Sequence, residues 1–173
     1  MALKTNTTLI LGGARSGKSR FAQQLVETHR PPHIFIATAE ALDDEMSARI
    51  AHHIATRGDT WRTIDAPIHL SDAIEGACSE KHSVLVDCLT LWLSNIMQAE
   101  LDVESEVRKL AKSVAAVTTP LVLVSNEVGM GIVPESPLGR EFRDEQGRLN
   151  QVIASVCQRV ELVAAGLPLR LKG

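Results

Sequence analysis

Near the start of the chain, Gly12-Gly13-Ala14-Arg15-Ser16-Gly17-Lys18-Ser19 fits the pattern G-x-x-x-x-G-K-S. That pattern restricts the fold when a strand precedes it and a helix follows it. Residues 8–11 are β-branched and apolar, and from Ser19 onward Phe21, Ala22, Leu25 and Val26 recur at helical spacing. Strand, glycine loop and helix therefore come in the required order. Glycines let backbone N–H groups turn inward around a phosphate, and the helix N-terminus adds the positive end of its dipole. Lys18 is placed to neutralise β- and γ-phosphate oxygens, and the Ser19 hydroxyl to ligate Mg²⁺. The segment reads as a loop for a nucleoside triphosphate.

Strand and helix signals keep alternating downstream. Residues 34–37 form a second strand candidate introduced by Pro31-Pro32, and Asp43-Asp44-Glu45 opens a helix expected to run to about Thr56. Residues 68–77 read as a short helix, and Ser83-Val84-Leu85-Val86-Asp87 as a continuous apolar strand ending in an acid. Helical spacing recurs over 90–99 and 103–117; Pro120 then stops the helix before a strand over 121–125. Residues 129–139 read as a loop, 141–160 as a helix, 161–164 as a last strand and 167–171 as an added edge. The expectation is one α/β domain over 1–173, RecA-like, with a mostly parallel sheet, helices on both faces and ligands at the carboxyl ends of the strands.

Composition removes several classes. An apolar fraction of 45%, a charged fraction of 23% and a net charge of −3 describe a globular protein. The 18 Lys and Arg are scattered among 21 acids, so no concentrated basic face for nucleic acid is expected. Cys78, Cys88 and Cys157 lack C-x-x-C spacing and read as buried thiols. With neither an export signal nor an apolar run approaching the ~20 residues of a membrane span, a cytoplasmic location is expected.

Asp87, at the end of its strand, is the natural carboxylate to hold Mg²⁺ opposite Ser19. A regulatory GTPase would carry N-K-x-D and D-x-x-G; this chain has Ser125-Asn126-Glu127-Val128 and Asp87-Cys88-Leu89-Thr90. A small-molecule kinase and a non-catalytic GTP-binding module are the alternatives. Asn126 and Glu127 end the 121–125 strand on the expected γ-phosphate side, followed by a loop that could cover an acceptor. Glu45, Arg49 and His52 share one helix face, with His53 about 100° around from His52.

Several runs together resemble one family: residues 12–19, Ile-Ala-Thr-Ala at 36–39, Leu-Asp-Asp-Glu-Met at 42–46 with Arg49-Ile50-Ala51-His52-His53, and Asn-Glu-Val-Gly-Met-Gly-Ile-Val-Pro-Glu at 126–135. Phe142-Arg143-Asp144 and Gly147-Arg148-Leu149-Asn150-Gln151 complete the likeness. In order and over nearly the whole chain, they resemble the bifunctional adenosylcobinamide kinase/adenosylcobinamide-phosphate guanylyltransferases. Where that pattern often has Glu, this chain has Gln23 and Asp87, the latter keeping the carboxylate.

The resemblance implies phosphorylation of the aminopropanol hydroxyl of adenosylcobinamide, then transfer of GMP from GTP to that phosphate with release of pyrophosphate. It implies a histidine matching His52 as the GMP carrier, with His53 its near rival, through attack of imidazole nitrogen on the α-phosphorus. Further nucleotide contacts carry over to Ala37, Thr38 and Ala39, to His53, Ile54, Ala55 and Thr56, and to Asp65 and Asp87. GTP for guanylyl transfer, ATP or GTP for the kinase step, and a homotrimeric assembly are implied in the same way. Trp61 and Trp92 read as core or interface filling rather than a cover for the flat acceptor.

Overall fold

The continuous apolar runs become strands buried on both faces. In the computed structural model, residues 6–39 and 58–173 are described. They form strands β1 (Thr7–Gly12), β2 (His33–Ala37), β3 (Trp61–Asp65), β4 (Ser83–Asp87), β5 (Leu121–Asn126), β6 (Arg159–Ala164) and β7 (Leu167–Lys172). The helices are α1 (Lys18–Glu27), α2 (Leu70–Ser79), α3 (Leu89–Gln98), α4 (Val103–Ala116) and α5 (Pro137–Val156). The helix expected over 43–56 lies outside the described residues.

One sheet runs in the order β3-β2-β4-β5-β1-β6-β7. Its first six members pair in parallel and β7 pairs antiparallel with β6. Successive side chains of each strand serve different layers, as the pleat requires. Leu9, Ile34, Ile36, Val84, Val86, Leu121 and Leu123 join a core with α2, α3, α4 and α5. Ile10, Phe35, Leu85, Val122 and Val124 join a second core under Ala22 and Val26 of α1. Burying each of these larger side chains contributes about 1.5–3 kcal/mol. Helices thus cover both faces, with α1 alone on its side among the described residues.

Three expectations need correction. Residues 61–65 form a strand that the sequence did not announce: β3 is an edge strand, with only Trp61 and Ile64 partly buried. The helix expected over 141–160 begins instead at Pro137, with the Ser136 hydroxyl accepting from the Gly139 N–H at 3.1 Å and proline in the first turn. It stops at Val156, and residues 159 and 160 belong to β6. There the buried Glu161 carboxylate accepts from Arg159 Nε at 2.7 Å and from Arg170 Nε at 3.0 Å, tying the β6–β7 hairpin together.

Trp92 is wholly buried, its indole N–H donating to the Ile68 carbonyl at 2.9 Å. Cys88 and Cys157 are buried, Cys78 partly so, and all three are free thiols. Among the described residues no helix is long and apolar enough to cross a membrane.

Candidate nucleotide site

Register brings the candidate residues to one end of the sheet. Gly12 pairs with Asn126, and Ala37 pairs with both Asp65 and Asp87. The carboxyl ends of five neighbouring parallel strands thus form one row, the place where open α/β sheets bind ligands. Gly13, Ala14, Arg15, Ser16 and Gly17 leave that row as a turn, and α1 begins at Lys18 and Ser19.

The turn has little spare room. Gly17 takes a left-handed φ of 93°, and a Cβ there would meet Gly166 Cα at 3.2 Å. The Gly166 N–H donates to the Ser16 carbonyl at 2.8 Å, bracing the loop against the β6–β7 turn. Ser16 Oγ is buried without a hydrogen-bond partner. Lys18 folds over the loop, its ammonium donating to the Gly13 carbonyl at 3.0 Å.

The pleat aligns the acids and amides. Leu85 belongs to the core under α1, so Asp87, two residues on, lies on the α1 side of β4. Val122 and Val124 place Asn126 on the same side of β5. Asp87 and Asn126 therefore share the face on which Lys18 and Ser19 start their helix. A hydroxyl and a carboxylate are hard oxygen ligands suited to Mg²⁺, which takes one or two protein oxygens and completes its shell with phosphate and water. Among the described residues no cluster of three or more His, Cys, Asp or Glu could itself cage a metal. The donors present fit an ion shared with a nucleotide.

Behind the row, polar side chains fix the loops. The wholly buried Thr38 donates its hydroxyl to the Cys88 carbonyl at 2.7 Å and accepts from the Cys88 N–H at 2.9 Å. Asn95 Nδ2 donates to the carbonyls of Thr38 at 2.8 Å and Pro67 at 3.0 Å, joining the loops after β2 and β3 to α3. Ala39 follows Thr38 with partial exposure. Burial, then the neighbouring Asp87 carboxylate, pushes the Cys88 thiol up to about 11 and keeps it neutral. Asp65 lines a cleft of about 360 Å³ with Ala66, Ile68, His69 and Asp72, beside the row.

Sequence reading singled out neither Asn95 nor Thr90. Both are polar residues on a largely apolar helix, but so is Ser94, and nothing in the sequence separates them from it. Residues 52–56, including His52, His53, Ile54, Ala55 and Thr56, lie outside the described residues.

A glycine loop between the first strand and the first helix, an acid two strands away and a mostly parallel sheet define a P-loop nucleotide-binding α/β protein. The fold agrees with that of the bacteriophage phi6 P4 protein solved with ADP: the TM-score is 0.50 at 16% identity, over 94% of this chain and 52% of that one. Residues 8–171 match the model of the family described as cobinamide kinase / cobinamide phosphate guanyltransferase. The chain belongs to that family, and it is an enzyme of both activities. It is 45% identical over 169 residues to the bifunctional adenosylcobalamin biosynthesis protein CobP of Pseudomonas aeruginosa, covering 95% of this chain and 96% of the relative. It is 40% identical to the corresponding CobU of Escherichia coli K12, covering 95% and 98%.

Proposed function

We propose that the single domain of residues 1–173 performs both reactions on adenosylcobinamide at the row of strand ends, using ATP or GTP for the first and GTP for the second. The observation that carries this reading is that Asp87 ends β4 on the sheet face where Lys18 and Ser19 begin α1, beside the end of β1 at which Gly12 opens the loop. In the kinase step the loop amides from Gly12 to Ser19 cradle the phosphates. Lys18 swings from the Gly13 carbonyl onto the β- and γ-oxygens as the bond to γ breaks. Ser19 and Asp87 hold Mg²⁺, which when bound neutralises charge on the phosphate oxygens. Ala37, Thr38, Ala39 and Asp65 flank the same row and contact nucleotide; the family resemblance adds His53, Ile54, Ala55 and Thr56 to the nucleotide contacts.

In the second step His52 attacks the α-phosphorus of GTP. A P–N bond forms, the α–β P–O bond breaks, pyrophosphate leaves and GMP remains on the imidazole. The phosphate oxygen of adenosylcobinamide phosphate then takes the GMP and regenerates His52. Incubation with α-labelled GTP and no acceptor, followed by denaturation, tests this step. Acid-labile label is expected on the parent and on His53→Ala and absent from His52→Ala. Label surviving His52→Ala removes the assignment.

The chain acts in the cytoplasm, away from nucleic acid, as a homotrimer. Apolar surface in search of a partner supports assembly: Met130, Ile132 and Val133 of the loop after β5 and Leu167, Leu169 and Leu171 of the edge strand are all exposed. Sedimentation equilibrium is expected to give three times the chain mass of 18.8 kDa; a monomer at micromolar concentration would refute the assembly.

A further inference from the structure

The tip of β5 is held more firmly than a strand end needs to be. β5 lies between β1, which delivers the phosphate loop, and β4, which delivers Asp87. Its last residue, Asn126, has both backbone groups committed to side chains. The N–H donates to Thr90 Oγ1 at 2.8 Å, and the carbonyl accepts from Asn150 Nδ2 at 3.0 Å. One residue further, the Glu127 N–H donates to the Gly12 carbonyl at 3.0 Å, fastening the tip to the loop itself.

Asn150 reaches this position from the inner face of α5, anchored at its other end. Its Oδ1 accepts from Ser125 Oγ at 2.7 Å and from Gln146 Nε2 at 3.0 Å. Gln146 Nε2 also lies 2.9 Å from Ser125 Oγ, and both residues are wholly buried. A carboxamide pair of this kind, one member buried and the other partly so, fixes geometry at the expense of an apolar contact, and Gln146 Oε1 is even left without a partner. The Asn126 side chain is different. No hydrogen bond holds its carboxamide among the described residues, it is partly exposed, and the pleat sets it on the α1 side with Asp87, Lys18 and Ser19.

We propose that Asn126 is a further catalytic residue of phosphoryl transfer, its carboxamide N–H donating to the transferring phosphate between the loop and Asp87, and that Asn150 positions it. A neutral donor carried on a backbone fixed in advance stabilises charge as it spreads over the transferring oxygens, with only a side-chain rotation left to make. The idea rests on the reading of residues 12–19 as the triphosphate site.

The test is a double-mutant cycle on cobinamide phosphorylation, with nucleotide affinity measured separately by titration. Asn126→Ala is expected to lower kcat by about 10²-fold, the loss typical of one preorganised donor, with nucleotide Kd changed by less than about threefold. Asn150→Asp keeps the acceptor toward Ser125 and Gln146 but removes the donor to the Asn126 carbonyl, and is expected to lower kcat about tenfold. In the double variant kcat is expected to equal that of Asn126→Ala within about twofold, because Asn150 acts through Asn126.

Losses that multiply would make Asn150 a structural residue and overturn its role. Parent-like kcat in Asn126→Ala would overturn the whole inference. Should Asn150→Asp unfold, Thr90→Val removes the acceptor of the Asn126 N–H and supplies the same arm from the other side. Lys18→Ala separates the two levels. If it abolishes turnover while Asn126→Ala does not, this inference falls and the nucleotide site stands. If Lys18→Ala turns over normally, the nucleotide site falls first.

Discussion

Gly12 and Gly13 adjoin in sequence, yet only one of them is hemmed in. A Cβ on Gly12 would stand 2.5 Å from Ser16 Oγ and 2.6 Å from the Val163 carbonyl oxygen, whereas a Cβ on Gly13 meets nothing within 4 Å. The serine hydroxyl could turn away. The carbonyl belongs to β6, which is paired in register with β1 at this very residue, and cannot move without opening the ladder. Gly12→Ala is therefore expected to lose about 1–3 kcal/mol of stability, the usual cost of overpacking, and to weaken nucleotide binding at least tenfold as the loop is displaced. Gly13→Ala should stay within about 0.5 kcal/mol of the parent. Urea unfolding of both variants beside a nucleotide titration checks the pair; equal losses would show that close approach to β6 is not the cause.

Elements were legible in proportion to how completely they are buried. β2, β4 and β5, covered on both faces, stood out as uninterrupted apolar runs, and α4 was readable to within a residue from its periodicity and the Pro120 that follows it. β3 escaped because an edge strand with one partner, β2, buries too little to need an apolar run. Trp-Arg-Thr-Ile-Asp offers neither an apolar run nor an alternation, its two apolar residues falling three apart. The start of α5 was missed for a different reason. Ser136-Pro137 is a capping signal, but it lies in a proline- and glycine-rich stretch that reads as loop when Pro134 and Gly139 are weighed with it. Its end was overrun because Val156 and Val160 continue a helical spacing that the chain abandons at Cys157 to enter β6. At the candidate site, the glycine loop and Asp87 were legible as a pattern, since phosphate chemistry would dictate their type. The Asn95, Thr90 and Asn150 supports were not, since their partners are backbone carbonyls and amides that only the fold brings near.

Seen across the whole molecule, acid and alkaline sensitivity fall on different groups, the acid one at the end of the sheet opposite the candidate site. The carboxyl ends of the strands carry the candidate nucleotide site, while His33 opens β2 at the far end, 3% exposed, with Nδ1 unpartnered and its ring 4.9 Å from that of Trp61. Burial lowers the His33 pKa below its ordinary 6.5, against the attraction of Glu27 and with help from His29 and His82. Below pH 6.5 the unfolded chain thus binds the proton that the folded one refuses, so stability falls as pH falls through that value. The buried thiols act at the other limb. Cys88 is pushed up to about 11 and Cys157 to about 12, both by burial first, from an ordinary 9.0. Above pH 9.0 the unfolded thiols lose protons that the folded ones keep, and stability falls as pH rises, by at most about 1.4 kcal/mol per pH unit for each thiol. Urea unfolding from pH 5 to pH 10 is therefore expected to show a plateau between roughly pH 7 and pH 9, with a decline on either side set by these groups. His33→Gln should flatten the acid limb and leave the alkaline one, and Cys157→Ala should leave the acid limb and make the alkaline one shallower, Cys88 remaining, after its overall loss of packing. An acid limb as steep in His33→Gln as in the parent would move that sensitivity to other groups.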